Sequence, residues 1–135
     1  MVIVSCPTKF HAFNLAEQLD INGYLTNFFT IYHSRKNPVF AKFNSRIDSE
    51  EIDLKKTRTI PFLSILYRIN KSEWAVTLFD WYVSKKLKHI DFEVIICWAG
   101  LSKYTVREAK KLGKKVILER GSVHLETKHE LLSSE

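Results

Sequence analysis

Cysteine is scarce in this 135-residue chain, which carries only Cys6 and Cys97. Each ends an apolar run and neither stands in a CxxC or Cys/His spacing. A zinc site lacks its ligand pattern, and the pair reads as buried free thiols. Long apolar runs are missing too. The richest segment, residues 61–83, is broken by Arg68, Asn70, Lys71, Glu73 and Asp80, so nothing approaches the roughly 20 apolar residues that span a bilayer. The apolar start at residues 1–6 is too short for a signal peptide and has no basic leader, which argues for a cytoplasmic chain. There is no internal repeat and no low-complexity tract. The first loop holds neither GxGxxG nor GxxxxGKS/T, which removes the main support for a dehydrogenase or an NTPase. A GxSxG elbow and an HExxH pair are also lacking, which argues against a serine hydrolase or a zinc protease. No metal and no bound cofactor is expected.

What is present fits one domain. The length is enough to bury a core without disulfides or metal, and 45% hydrophobic with 27% charged residues is ordinary for a folded globular chain. Residues 1–135 are therefore expected to form one unit. The formal net charge of +6 favours an anionic neighbour: nucleic acid, acidic lipid or a phosphorylated substrate. Lys85, Lys86 and Lys88 end one expected helix, and Lys110, Lys111, Lys114 and Lys115 surround the end of another, where cations complement the helix dipole. A solvated basic face is the plainer reading of both.

Along the chain, Val2-Ile3-Val4-Ser5-Cys6 reads as a buried strand closed by Pro7. Phe13, Ala16 and Leu19 recur at helical spacing over residues 10–22, with Gly23 at the position of a left-handed cap. Residues 24–32 are β-rich, so the opening is a βαβ unit and a parallel sheet is implied. Residues 33–59 form a polar excursion with a turn at Asn37-Pro38 and a short helix within 45–54 as one option. Residues 61–69 fit strand or helix equally. Ser72 caps a helix to about His89, with Trp74, Leu78 and Trp81 on one stripe, Val76, Phe79, Val83 and Leu87 beside it, and a well-buried first half. Residues 92–98 form a third strand, 102–112 a helix ended by Gly113, 115–119 a fourth strand, and 123–133 a last helix. The expected fold is α/β, a Rossmann-like parallel sheet with helices on both faces.

Ligands of open parallel sheets bind at the carboxyl ends of the strands, where helix N-termini converge. That rule selects Ser5, Pro7, Thr8, Lys9 and His11; Thr30, Tyr32, His33, Arg35 and Lys36; Trp98, Gly100, Ser102 and Lys103; and Glu119, Arg120, Gly121, Ser122 and His124. The last group is the most informative. Gly121 lets the backbone approach a ligand, Arg120 offers a bidentate fork to an anion, and His124 exchanges protons near neutral pH. The plainer account, a cap at Ser122, an Arg120–Glu119 surface pair and an incidental His124, weighs about evenly. For His11 and Trp98, spacing alone favours an exposed helix residue and core packing.

Three stretches resemble the N-terminal half of a family 4 glycosyltransferase of the GT-B type. They are Phe10-His11-Ala12-Phe13-Asn14-Leu15-Ala16 through Gly23-Tyr24-Leu25 and Phe29-Thr30; Cys97-Trp98-Ala99-Gly100-Leu101-Ser102 with Ala109-Lys110-Lys111-Leu112-Gly113; and Leu118-Glu119-Arg120-Gly121-Ser122-Val123-His124. The resemblance implies one half of a two-domain fold, with the acceptor bound mainly here and the nucleotide-sugar donor mainly by a C-terminal domain. It makes His124 and His11 candidate catalytic residues. Trp98, Gly100 and Ser102 would line the cleft wall, and Glu119, Arg120, Gly121 and Ser122 its floor. Lys9 stands in the first loop, where Pro7-Thr8-Lys9-Phe10 replaces the family's Gly-rich turn. The family's second domain, with its paired glutamates, has no counterpart in these residues, so transfer is expected to need that partner. The substrates implied are a nucleotide-sugar and a glycan or lipid-linked acceptor, with peripheral membrane contact through Lys85, Lys86, Lys88 and residues 37–43. The competing reading is a non-enzymatic module that captures a phosphorylated ligand or a protein. Nucleic acid ranks third, since the basic residues are dispersed.

Overall fold

The first strand, β1 (Val2–Ser5), is hydrogen-bonded along both edges, which explains why Ile3 and Val4 are wholly buried. In this computed structural model, which describes residues 1–8, 11–33, 52–69 and 72–120, β1 lies between β2 (Leu25–Thr30) and β4 (Val94–Trp98). Outside them lie β3 (Thr57–Thr59), paired to β2, and β5 (Lys115–Glu119), paired to β4. Every pairing is parallel and the order is β3-β2-β1-β4-β5. The α/β, Rossmann-like parallel sheet anticipated from the alternation of strand and helix is present.

Successive strand residues point to opposite faces, and the core divides accordingly. Val4, Phe28 and Ile96 face one way and pack with Ala12, Phe13 and Ala16 of α1 (Ala12–Ile21). Ile3, Phe29 and Ile95 face the other way, under α2 (Leu63–Arg68), α3 (Ser72–Leu87) and α4 (Lys103–Lys111). Helices therefore cover both faces. Gly23 and Gly113 follow α1 and α4 with φ of +78° and +73°, the left-handed conformation anticipated at both helix ends. Among the described residues no helix is long and apolar enough to cross a membrane.

Two expectations need correction. The sheet has five strands where four were expected, because β3 lies at the end of the polar excursion. A three-residue edge strand contributes backbone hydrogen bonds without an apolar run to announce it. Its approach is anchored instead by Asp20 of α1, whose carboxylate accepts from the Asp53 N–H at 2.9 Å and from Lys56 Nζ at 2.6 Å. Burial alone would push the Asp20 carboxyl up, but hydrogen bonds from Lys56 and Asp53 and the Lys56 charge together hold it below its ordinary value. The helical option within 45–54 and the turn at Asn37-Pro38 lie outside the described residues, apart from 52–54. Residues 61–69, open between strand and helix, contain α2.

The second correction concerns α3. Ala75, Phe79, Val83 and Leu87, spaced by four, form its buried stripe, whereas Trp74, Leu78 and Trp81 are 65%, 40% and 51% exposed. Helical periodicity marks both stripes as apolar but does not say which one meets the sheet. The flank that turns inward includes the polar Asp80 and Ser84, both buried and hydrogen-bonded.

Two outcomes follow from these contacts. Phe79→Ala should cost about 3–5 kcal/mol in urea unfolding of the dilute chain, and Trp81→Ala about 0.5 kcal/mol or less. Because the Asp20 carboxyl is held below its ordinary value, its stabilisation is full above a pH of about 4 and is lost as pH falls through the lower folded value. Asp20→Asn should therefore flatten the acid limb of a stability-versus-pH curve.

Candidate functional site

Parallel pairing turns the carboxyl ends of all five strands to one edge of the sheet. The chain leaves β1 toward β2 on one side and β4 lies on the other, so the strand order reverses between β1 and β4. The connections there diverge to opposite faces, the position at which open parallel sheets form a crevice. Its walls begin at Cys6, Pro7 and Thr8 after β1 and at Ala99, Gly100, Leu101 and Ser102 after β4. The Pro7 carbonyl accepts from the Ile31 N–H at 3.3 Å and from Thr30 Oγ1 at 3.4 Å, which ties the first loop to the end of β2. The Ala99 N–H donates to the Glu119 carbonyl at 2.7 Å and so extends the β4–β5 ladder to the rim.

Of the residues singled out in the sequence, His11 is exposed at the entry to α1, where its carbonyl accepts from the Leu15 N–H at 2.9 Å. Gly100 takes φ of +81°, a conformation that any side chain would strain. It lines a cavity of about 290 Å³ with Val76, Thr77, Asp80, Leu101, Lys103 and Tyr104. Glu119 ends β5, and Arg120 follows it; both are exposed. Ser102 precedes α4 but is only 5% exposed, and its side chain makes no capping hydrogen bond to the helix. Trp98 is 4% exposed and packs in the α1-side core with Phe13 and Ala16, so its indole supports the rim from beneath. Lys9, Gly121, Ser122 and His124 lie outside the described residues. The fold thus brings His11, Gly100, Ser102, Glu119 and Arg120 to the same edge.

One residue at this edge was not among the chosen candidates. Asp80, inside α3, is 4% exposed, and its carboxylate caps α4 from a distance in sequence. Oδ2 accepts from the Tyr104 N–H at 2.8 Å, and Oδ1 accepts from the Thr105 N–H at 2.9 Å and from Thr105 Oγ1 at 2.6 Å. These bonds satisfy N–H groups that the first turn of a helix cannot pair internally, and the negative charge suits the helix dipole there. The available signal was a carboxylate set between Phe79 and Trp81, in the apolar middle of the helix. His33, after β2, is fully buried, with its ring parallel to Phe13 at 5.7 Å between centroids. The rule of strand carboxyl ends had selected this residue, and the structure gives it a core position instead of an exposed one.

The thiols do not supply a nucleophile. Burial pushes Cys97 up to about 11 against the opposing Ser102 hydrogen bond, and the nearby Asp80 carboxylate raises it further. Burial likewise pushes Cys6 up to about 12, opposed by a hydrogen bond from the Thr8 backbone and assisted by Cys97. Both are free and buried, as read from the sequence, and neutral at physiological pH. Among the described residues no group of three or more His, Cys, Asp or Glu side chains converges as metal ligands.

Asp80→Ala should destabilise the chain by about 2–3 kcal/mol and speed amide hydrogen exchange at Tyr104 and Thr105, with Asp80→Asn intermediate. The thiols should resist alkylation at pH 8 until urea unfolds the chain. Their contribution to stability is full below pH 9.0, the ordinary thiol value, and is lost as pH rises through about 11 and then about 12. In comparisons with protein-family models, with curated proteins and with solved structures, nothing matches the chain.

Proposed function

We propose that this chain is the acceptor-binding half of a glycosyltransferase of the GT-B type, working with a second domain that holds a nucleotide-sugar donor. The observation that carries the reading is the strand order. A β3-β2-β1-β4-β5 parallel sheet opens its crevice between β1 and β4, at the edge that carries His11, Gly100, Ser102, Glu119 and Arg120. The resemblance in sequence points to the same segments.

The residues divide the work by their chemistry. Gly100 leaves space at the crevice wall, with nothing within 4 Å of where a Cβ would stand, so an acceptor sugar approaches the backbone closely. The exposed Arg120 guanidinium offers paired donors to a phosphate, either of a lipid-linked acceptor or of the donor diphosphate. In the transfer, the bond from the anomeric carbon to the diphosphate breaks and a bond to the acceptor oxygen forms. The acceptor proton leaves with the nucleoside diphosphate or through an adjacent base. His11, exposed at the crevice mouth, is the described imidazole able to exchange that proton. Cations near the departing diphosphate lower the barrier by stabilising the charge that develops on it.

The test uses the isotope-labelled chain and amide NMR. Titration with a pyrophosphate-linked sugar should shift resonances of residues 6–8, 99–103 and 119–120, and Arg120→Ala should weaken the binding about tenfold, the loss of one charge-assisted contact. Shifts confined to other surfaces, or tight binding of a nucleotide-sugar by this chain alone, would refute the assignment.

A further inference from the structure

We propose that the exposed face of α3 docks a second copy of this chain, with two α3 helices packed antiparallel about a two-fold axis. The inference is independent of the catalytic reading and starts from the stripe that the sheet leaves uncovered. Trp74, Leu78, Trp81, Lys85 and Lys88 follow one another at spacings of four, three, four and three, the repeat of a helix that packs along a partner helix. The first three are 65%, 40% and 51% exposed. Two of the chain's three tryptophans thus stand in water on one helix face, while the third, Trp98, is buried.

The charge along this face is self-complementary. Glu73 stands at the N-terminal end of the stripe and Lys85 and Lys88 at the C-terminal end, all exposed. A two-fold antiparallel pairing brings unlike ends together in both halves of the interface, as a closed dimer requires. In that register Leu78 of each copy meets Trp81 of the other, Trp74 meets the Lys85 stem and ammonium, and Glu73 comes within one helical turn of Lys88. Lys85 already lies with Nζ 5.9 Å from the Trp81 ring centroid, so its stem follows the aromatic row. A parallel pairing would instead set Lys85 against Lys85.

The area also suits a second copy. Beside α3, α2 and its flanking turns expose Phe62, Ile65 and Ile69 at 57%, 44% and 59%. With roughly 100 Å² open on each of six large apolar side chains, about 600 Å² per copy is available, and a polar rim brings it near the roughly 800 Å² per partner of a stable interface.

Sedimentation equilibrium of the full chain tests the proposal, with circular dichroism verifying that each variant folds. A monomer–dimer equilibrium with a dissociation constant on the order of 10 μM is expected, with tryptophan emission shifting to the blue as the dimer forms. Trp81→Glu should abolish the dimer. Glu73→Lys should weaken it about tenfold, and the added change Lys88→Glu should restore it, since the pair is then reversed and not removed. Ile117→Lys on strand β5, away from α3, should leave it unchanged. A chain that stays monomeric at millimolar concentration overturns the proposal, as does a dimer that survives Trp81→Glu or is lost with Ile117→Lys. Binding to vesicles containing phosphatidylglycerol by a chain monomeric in solution would assign the face to lipid and overturn it equally.

Discussion

The arrangement depends on the two-sided hydrogen bonding of β1. Four residues, Val2 to Ser5, align with β2 through one edge and with β4 through the other, and both alignments are parallel. A strand so enclosed must satisfy every backbone group within the sheet and bury side chains on both faces, which is why it is short and nearly all apolar. Because its neighbours come from opposite directions in the chain order, the loops after β1 and β4 separate above it. The crevice is thus a result of topology, present before any polar residue is assigned to it.

Around that crevice the protein spends polar groups on architecture first. Ser102 is buried beneath it, and Thr105 and the start of α4 are held by Asp80. Burying an unpaired carboxylate would cost several kcal/mol, whereas Asp80 has donors on both oxygens, so its burial orders the rim instead of straining it. What remains for a ligand is the exposed layer above: His11, Gly100, Lys103, Glu119 and Arg120. The separation of a hydrogen-bonded base from an open polar edge is what a binding site needs if its side chains are to hold position before a substrate arrives.

Most of the sheet was legible because strand and helix signatures alternate in the sequence: apolar β-branched runs at β1 and β4, and glycines where α1 and α4 stop. The edge strand β3 was not, since Thr57-Arg58-Thr59 has no apolar side chain to mark it and is held through backbone pairing and the Asp20 anchor. The orientation of α3 was not legible either, because two adjacent stripes both have helical period and only the packing of Ala75 and Phe79 against the sheet distinguishes them. The residues picked by the rule of strand carboxyl ends do lie along one edge of the sheet, and Gly100 and Arg120 are exposed there. Ser102 and Trp98 lie at that edge in supporting positions, a distinction that depends on burial and that residue type cannot supply. Asp80 was visible only as an interruption in an apolar stretch, since its partner helix begins more than twenty residues later.

The same carboxylate has a mechanical corollary. Asp80 sits on α3 one residue before Trp81 and grips the first turn of α4, while the cavity beside Gly100 takes its lining from both helices. A sideways shift or axial roll of α3 cannot occur without dragging the entrance of α4, because the two hydrogen bonds to its backbone act as a rigid coupling rod. Load applied to the outer surface of that helix reaches the entrance of α4 through the Asp80 carboxylate together with the packing of the two helices.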